Sequence, residues 1–500
     1  MPQIRTAAVW GWCAAALVVL STDQHALASG GQLKLVTIDS ETGEPVPCRM
    51  HLKGANGKPR PYKRLPYWDD HFVFPGEIKL QLPKGAYTFE IERGPEYVNC
   101  TGHFVIENHA DDEKTVTLKR AVDMAAEGWC SADLHVHRPL RDIELLMAAD
   151  DLHVAAVAPL KTAETIDPKL SQLAEQQRAV FPAYEHELAG NTMLCFSRTG
   201  ELQLPSAALE AKSGLQFLHA ARQDKANWID VARPFSWDLP VAAALGLVDS
   251  VELANDHLLR SGVVNKETGG RPRDKRFSGP FANALWSQHI YYQLLNTGLR
   301  LPPTAGSGSG VAANPVGYNR VYVYLGESWS SEAFWQALAA GRVMVTNGPL
   351  LRPNVRGQLP GHVFESPAGE TVSLDVSLTL STRDPVSYLE IIKNGEVERS
   401  VSLREYAKAG RLEPLEFSES GWFLVRVVTE VEHTYRFAST GPYYVEVGDA
   451  QQRVSKSAAQ FFLDWTRQRS DQSGASPADR VLYDRALEFW TQRVAAANAP

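Results

Sequence analysis

Cysteine is scarce in this chain: five in 500 residues, with no C-x-x-C spacing, which excludes a cysteine-rich metal site. Basic charge is not in excess either. Lys and Arg total 50 against 58 Asp and Glu, a formal net charge of -8, so there is no electrostatic footprint for nucleic acid. Beyond the N-terminus no run approaches the ~20 apolar residues of a membrane-spanning helix, so no span is expected in the mature chain. Internal repeats and low-complexity tracts are absent too. What is present is ordinary globular material, 44% hydrophobic and 22% charged, long enough for about three folded units. A small-molecule or anionic substrate is the expected partner.

The N-terminus reads as an address. Arg5 precedes the apolar run Ala7 to Leu20, and Ala26-Leu27-Ala28 supplies the small residues of a signal-peptidase site. Residues 1–28 are therefore expected to be a signal peptide, and the protein to be exported to the periplasm or the extracellular space. An uncleaved anchor is the competing reading. Cys13 leaves with the signal, and Cys48, Cys100, Cys130 and Cys195 remain. Export permits disulfides, and Cys48 with Cys100 is the expected pair because both fall on predicted strands of the first unit. Cys130 and Cys195 read as buried thiols.

From residue 29 to 123, short alternating segments such as Leu33–Ile38, Ile78–Leu82 and Tyr87–Ile91 predict a small β-sandwich. From 124 to 351, short apolar strands alternate with helical patterns, which predicts a β/α unit. Its expected strands include Val154–Ala158, Val180–Glu187, Leu215–His219, Ile229–Arg233, Ser250–Leu253, Pro303–Ala305 and Arg320–Leu325. Helices are predicted over Asp142–Ala148, Lys169–Ala179, Ala282–Leu295 and Ser331–Ala340. About seven strands suit a (β/α) barrel with its site at their carboxyl ends. Residues 352–450 predict a second β-sandwich, with a hairpin turn at Lys393-Asn394-Gly395-Glu396. Residues 451–500 predict a helical tail in which Phe461, Phe462 and Trp465 form a packing face.

One stretch states a chemistry, Asp133-Leu134-His135-Val136-His137. Side chains alternate along a strand, so Asp133, His135 and His137 share a face. A carboxylate and two imidazoles on one face suit Zn2+ or Mn2+. Read blandly, the same stretch is a polar strand end with solvated histidines.

That stretch resembles the first motif of the PHP (polymerase and histidinol phosphatase) superfamily. Further on, "Asn314-Pro-Val-Gly-Tyr-Asn-Arg-Val-Tyr-Val-Tyr" and "Ala337-Leu-Ala-Ala-Gly-Arg-Val-Met-Val-Thr-Asn-Gly-Pro-Leu-Leu" resemble the CehA/McbA group of metallohydrolases within it. The resemblance implies α/β plus β architecture: a PHP-type distorted (β/α)7 barrel flanked by N-terminal and C-terminal β-sandwiches, with C-terminal helices. It implies hydrolysis of phosphoesters, carbamates or related esters with metal-activated water. It places ligands at His135, His137 and Glu185, with Asp142 where the group often has a further acidic residue. Separately, "Asp39-Ser-Glu-Thr-Gly-Glu-Pro-Val-Pro" and "Leu82-Pro-Lys-Gly-Ala-Tyr-Thr" loosely resemble carboxypeptidase regulatory-like domains, which implies an accessory role for the first unit.

Elsewhere the chain departs from the group. Where the group has further ligands, this chain has Ala158-Pro159-Leu160, Gly190-Asn191, Ala232-Arg233-Pro234 and Ser307-Gly308-Ser309-Gly310. A trinuclear site is excluded, while three protein ligands still suffice for one catalytic ion. Arg233 would repel a cation but grip an anion in a bidentate fork, and the loop of Ser307 and Ser309 could cradle one with its backbone N–H groups. Glu252, Asn255, Asp256 and His257 are expected to line the mouth, and His219 to end a strand. Two functions follow from different classes. One is an exported PHP-like hydrolase of ester-type bonds (phosphoester, carboxylester or carbamate) with a reduced metal site of one divalent ion. The other is a catalytically inactive barrel serving as a ligand-binding or structural module.

Overall fold

The computed structural model describes residues 30–62, 64–159, 179–199, 201–449, 452–472 and 474–500. The expected signal peptide and most of the expected helix Lys169–Ala179 lie outside them. No helix among the described residues is long and apolar enough to cross a membrane.

Eight strands form the N-terminal unit: β1 (Gly30–Asp39), β2 (Cys48–Gly54), β3 (Tyr67–Trp68), β4 (His71–Phe74), β5 (Glu77–Pro83), β6 (Gly85–Glu92), β7 (Cys100–Ile106) and β8 (Asp111–Leu118). They make two sheets, ordered β5-β1-β8 and β3-β4-β2-β6-β7. The inward positions of both meet in one core that includes Leu33, Leu35, Met50, Phe72, Ile78 and Leu80. Alternation in the sequence creates this core, because every second residue is apolar and faces the other sheet. The expected Cys48–Cys100 bond is not formed, and all four described cysteines are free thiols. The reason is topological: β6 runs between β2 and β7, pairing Met50 with Ile91 and Ile91 with Cys100.

Next come β9 (Trp129–Val136), α1 (Leu140–Ala149), β10 (Val154–Val157), β11 (Ala179–Leu188), β12 (Asn191–Ser197), α2 (Ser206–Leu209), α3 (Gly214–Ala221), β13 (Asn227–Val231), α4 (Leu239–Ala244) and β14 (Ser250–Ala254). A two-strand hairpin β15 (Leu258–Leu259) and β16 (Gly262–Val263) follows. Then come α5 (Ala282–Asn296), β17 (Pro303–Ala305), β18 (Arg320–Tyr324), α6 (Ser331–Ala339) and β19 (Val343–Thr346). The segment Leu215–His219, expected as a strand, is helix α3. Ser213 caps it by accepting from Gln216 N, and residues 214, 217, 218 and 221 are buried at helical spacing. His219 is thereby exposed on the helix rather than ending a strand.

The expected (β/α)7 barrel is not what these strands build. They lie in one open 15-stranded sheet whose main path runs β17-β14-β13-β12-β11-β10-β9-β18-β19 and on into the C-terminal unit. A (β/α) barrel needs parallel strands throughout. Here Ala189 and Gly190, both at positive φ, turn the chain so that β12 pairs antiparallel with β11 and with β13. On the other side β18 pairs antiparallel with β9 and hands the sheet on through β19. The three-residue β17 pairs with β14 alone, and the loop after it returns to β9 through a single bridge, Val136 to Ser309.

The C-terminal strands share a second core around Leu351, Ile391, Phe423 and Tyr443. Asn394 and Gly395 turn the 393–396 hairpin at positive φ, as the sequence requires. Helices Lys456–Gln472 and Pro477–Ala495 pack back on the central unit. Phe462, Trp465 and Trp490 are buried there, and Trp490 donates to the Pro240 carbonyl.

Candidate metal centre

Strand β10 ends at Val157, which pairs with Val136 on one side and Pro182 on the other. His137 and Glu185 lie past that end, so side chains two strands apart can meet there. His135, His137 and Glu185 bring one ligand atom each to within 4.8 Å of one another. His135 Nε2 is 3.2 Å from Glu185 Oε1, and His137 Nε2 is 3.3 Å from Glu185 Oε2. Ligands about 2.0–2.1 Å from a tetrahedral zinc stand about 3.4 Å apart, close to these separations.

Hydrogen bonding around the rings settles which nitrogens face inward. His137 donates its Nδ1 proton to the Ala158 carbonyl at 2.8 Å, so in the neutral ring its Nε2 carries the lone pair. That buried Nε2 makes no hydrogen bond among the described residues although a carboxylate faces it. His135 Nδ1 lies 3.3 Å from Glu252 Oε2 on β14, a fully buried carboxylate. Acceptors behind both rings are the arrangement that orients histidines on a metal.

Burial works against charge on His135, yet Glu252 and Glu185 together hold its pKa well above the usual histidine value. Burial and the charge of His135 lower that of His137. For Glu185 burial acts upward, but its bond to His135 and the charges of both histidines leave the carboxyl below its ordinary value. Glu252 is pushed up to about 8 by burial, against the pull of His135.

Asp230 on β13 is buried beside this group, and burial raises its pKa to about 6. Its proton stabilises the fold at low pH. That contribution is complete below the unfolded value near 3.8 and is lost as pH rises through 6. Asp230→Asn removes this dependence and is expected to stabilise the metal-free protein at pH 8 by on the order of 3 kcal/mol, with little change at pH 4. Urea unfolding at the two pH values checks it. Equal effects at both would contradict it.

The other expected site residues lie elsewhere. Asp133 does not join the ligands. It accepts from the backbone N–H of His135, Ser307 and Gly317 and from the Ser307 hydroxyl, tying the loop after β17 to β9. Arg233 is no free anion clamp: it grips Asp256 through Nε and Nη2 and bonds Glu187, Thr192 and Thr268 through Nη1. The 306–310 loop offers no open cradle. The N–H groups of residues 306 to 309 go to Ala254 O, Asp133, His135 O and Ser307 Oγ. Ser309 accepts from His137 N, while its hydroxyl has no partner among the described residues. Glycine at 306 follows from close packing, since a Cβ there would fall 2.2 Å from His135 Cβ and 2.5 Å from Glu252 Oε1. Asn255 Oδ1 accepts from His257 N, a turn bond. Asp142 stands in the first turn of α1, outside the ligand group, and lines the cleft onto which His137 opens.

That cleft, about 530 Å3, is walled by Arg64, Tyr67 and Trp68 of the N-terminal unit and by His137, Arg138 and Asp142. The sequence gives no role to Arg138, which directly follows the H-x-H, and places Glu252 only at the mouth. The acidic residue inside the apolar strand Ser250–Ala254 was the signal for a buried partner. A second convergence, His51, Asp70 and His71, lies between β2 and the β3–β4 turn. Cationic side chains already serve this one. Arg260 Nη1 is 4.0 Å from Asp70, His51 Nε2 faces Glu92 at 3.6 Å, and Arg49 joins Glu92 to Asp150 at the end of α1. It acts as a charged seam between the units.

No family model and no curated protein matches the chain. Among solved structures, the four N-terminal Ig domains of Dscam1 isoform 4.4 align at 9% identity over 84% of this chain and 100% of that one. The TM-score is 0.14, too low to carry any argument about fold or function.

Proposed function

We propose that the chain is a metal-dependent hydrolase of ester-type bonds, phosphoester, carboxylester or carbamate, working with one Zn2+ or Mn2+. His135, His137 and Glu185 would hold the ion. The observation that carries this reading is the His137 ring. Its outer nitrogen is committed to a carbonyl, and its inner lone pair is buried against a carboxylate, an unfavourable contact that a cation relieves. Three protein ligands leave a further position for water or substrate, as catalytic zinc sites do.

Such an ion, once held, supplies Lewis acidity that activates water and draws charge from the ester oxygen. The protein's own residues do the rest. Glu252 fixes the His135 ring from behind through Nδ1. Asp133 holds the loop that closes the floor against both histidines. The signal-like N-terminus adds export to the proposal. Purified protein supplemented with Zn, Mn or Fe is expected to retain about one equivalent and to hydrolyse at least one of a panel of ester substrates. Less than about a tenth of an equivalent of bound metal would overturn the reading.

One observation favours the second reading, a silent binding or structural module. Arg233 stands where the resemblance places a metal ligand, and it pairs with Asp256 instead. Metal retention without turnover on that panel would decide for it.

A further inference from the structure

We infer that the cleft beside His137 binds an oxyanion, carboxylate or phosphate, on the guanidinium of Arg138. The N-terminal β unit then forms one wall of the binding site rather than an accessory. Calling the bound group part of a substrate rests on the proposed hydrolase function. The anion site itself does not.

Five arginines are buried among the described residues: Arg49, Arg93, Arg138, Arg233 and Arg320. Four of them pair with carboxylates, Arg49 with Glu92 and Asp150, Arg93 with Asp151, Arg233 with Asp256 and Arg320 with Asp150. Arg138 is the exception. It is 5% exposed, its Nη2 reaches only the Tyr67 carbonyl at 3.4 Å, and its Nη1 has no hydrogen-bond partner among the described residues. Its guanidinium instead lies over the Trp68 ring, 5.2 Å from the centroid. Asp142 acts on it only through its charge, without an ion pair, and a buried charge so weakly compensated is costly to the fold, a cost that an anion entering the cleft reduces.

The surroundings suit such a ligand. The cleft is of small-molecule size, and among the described residues its charged lining is three arginines, Arg64, Arg138 and Arg141, against the acid Asp142. This is a locally positive mouth on a chain of net charge -8. The aromatic wall is fixed, because Trp68 Nε1 donates at 2.8 Å to the Ala312 carbonyl of the loop that floors the metal centre. His137 lines the same space, so an anion on Arg138 leaves the rest of the molecule facing the metal ligands. A guanidinium over an aromatic face presents its remaining N–H groups edgewise, which suits bidentate binding of a planar carboxylate or a phosphate.

The test uses the full mature chain, stripped of metal, with inorganic phosphate and benzoate as separate probes at constant ionic strength. Isothermal titration measures affinity, and thermal melting measures stability with and without each probe. At least one probe is expected to bind the metal-free protein and raise its melting temperature. Arg138→Gln should weaken that binding at least tenfold and abolish the probe-dependent rise. The probe-free melting temperature of that variant should stay level or increase, because a buried unpaired charge has gone. Trp68→Ala, which removes the aromatic wall and keeps the guanidinium, should weaken binding by a smaller factor. His135→Ala should bind the probe as the native chain does. Whichever probe binds tells a carboxylate-bearing from a phosphate-bearing ligand. Binding of neither probe, or equal binding by Arg138→Gln, overturns the inference, and neither result touches metal retention, on which the hydrolase reading stands.

Discussion

His135→Ala is expected to leave a folded protein that holds less than about a tenth of an equivalent of metal and shows no ester hydrolysis. His135 contributes one of three inner ligands, and two ligands do not hold a catalytic ion. The loss should exceed the roughly 10–100-fold that follows from removing an outer partner. Glu252→Gln, which removes only the carboxylate behind the His135 ring, therefore provides the internal comparison and should fall in that smaller range. Elemental analysis beside circular dichroism separates loss of metal from loss of fold. Native metal content in His135→Ala would end the proposal, whatever its activity.

The second large effect is structural. Asp133→Ala should destabilise the protein by on the order of 3–5 kcal/mol, because three backbone N–H groups and one hydroxyl lose their shared buried acceptor. Each orphaned donor costs about 1–3 kcal/mol, and entry of water offsets part of the sum. The damage should also reach the metal centre, since Gly306 of the same loop packs against His135 and Glu252. Asp133→Asn retains an oxygen and should cost less. Denaturant unfolding measures both. A cost below 1 kcal/mol for the alanine variant would show that the loop is held by something else.

The site was more legible in the sequence than the fold around it. H-x-H on a strand places two imidazoles on one face whatever the sheet does next, so His135 and His137 could be read locally. Glu185 came through resemblance, and its carboxylate stands 3.2 and 3.3 Å from the two imidazoles. Strand direction is not local. Strands such as Val154–Val157 and Asn191–Ser197 are buried on both faces, and nothing in their composition tells a parallel neighbour from an antiparallel one. The barrel expectation failed at that point, at β12 and at β18. Roles that depend on a distant partner were equally hidden. Arg233 is an anion clamp by itself and a neutralised strut once Asp256 is beside it. Asp133 shares the histidines' strand but spends its acceptors on the loop.

The unbroken sheet has a consequence for how the molecule comes apart. β19 exchanges backbone hydrogen bonds with residues 438–440, so the hydrophobic core of the C-terminal unit and that of the central unit are joined by a shared ladder. A chain ending at 351 would not be a trimmed domain. It would carry Val343–Thr346 as a raw sheet edge, its unpaired donors and acceptors open to a second molecule, and self-association through that edge is its natural fate. Heat or denaturant should likewise melt the two units in a single transition, with the 343–346 strand as the hinge of their cooperativity.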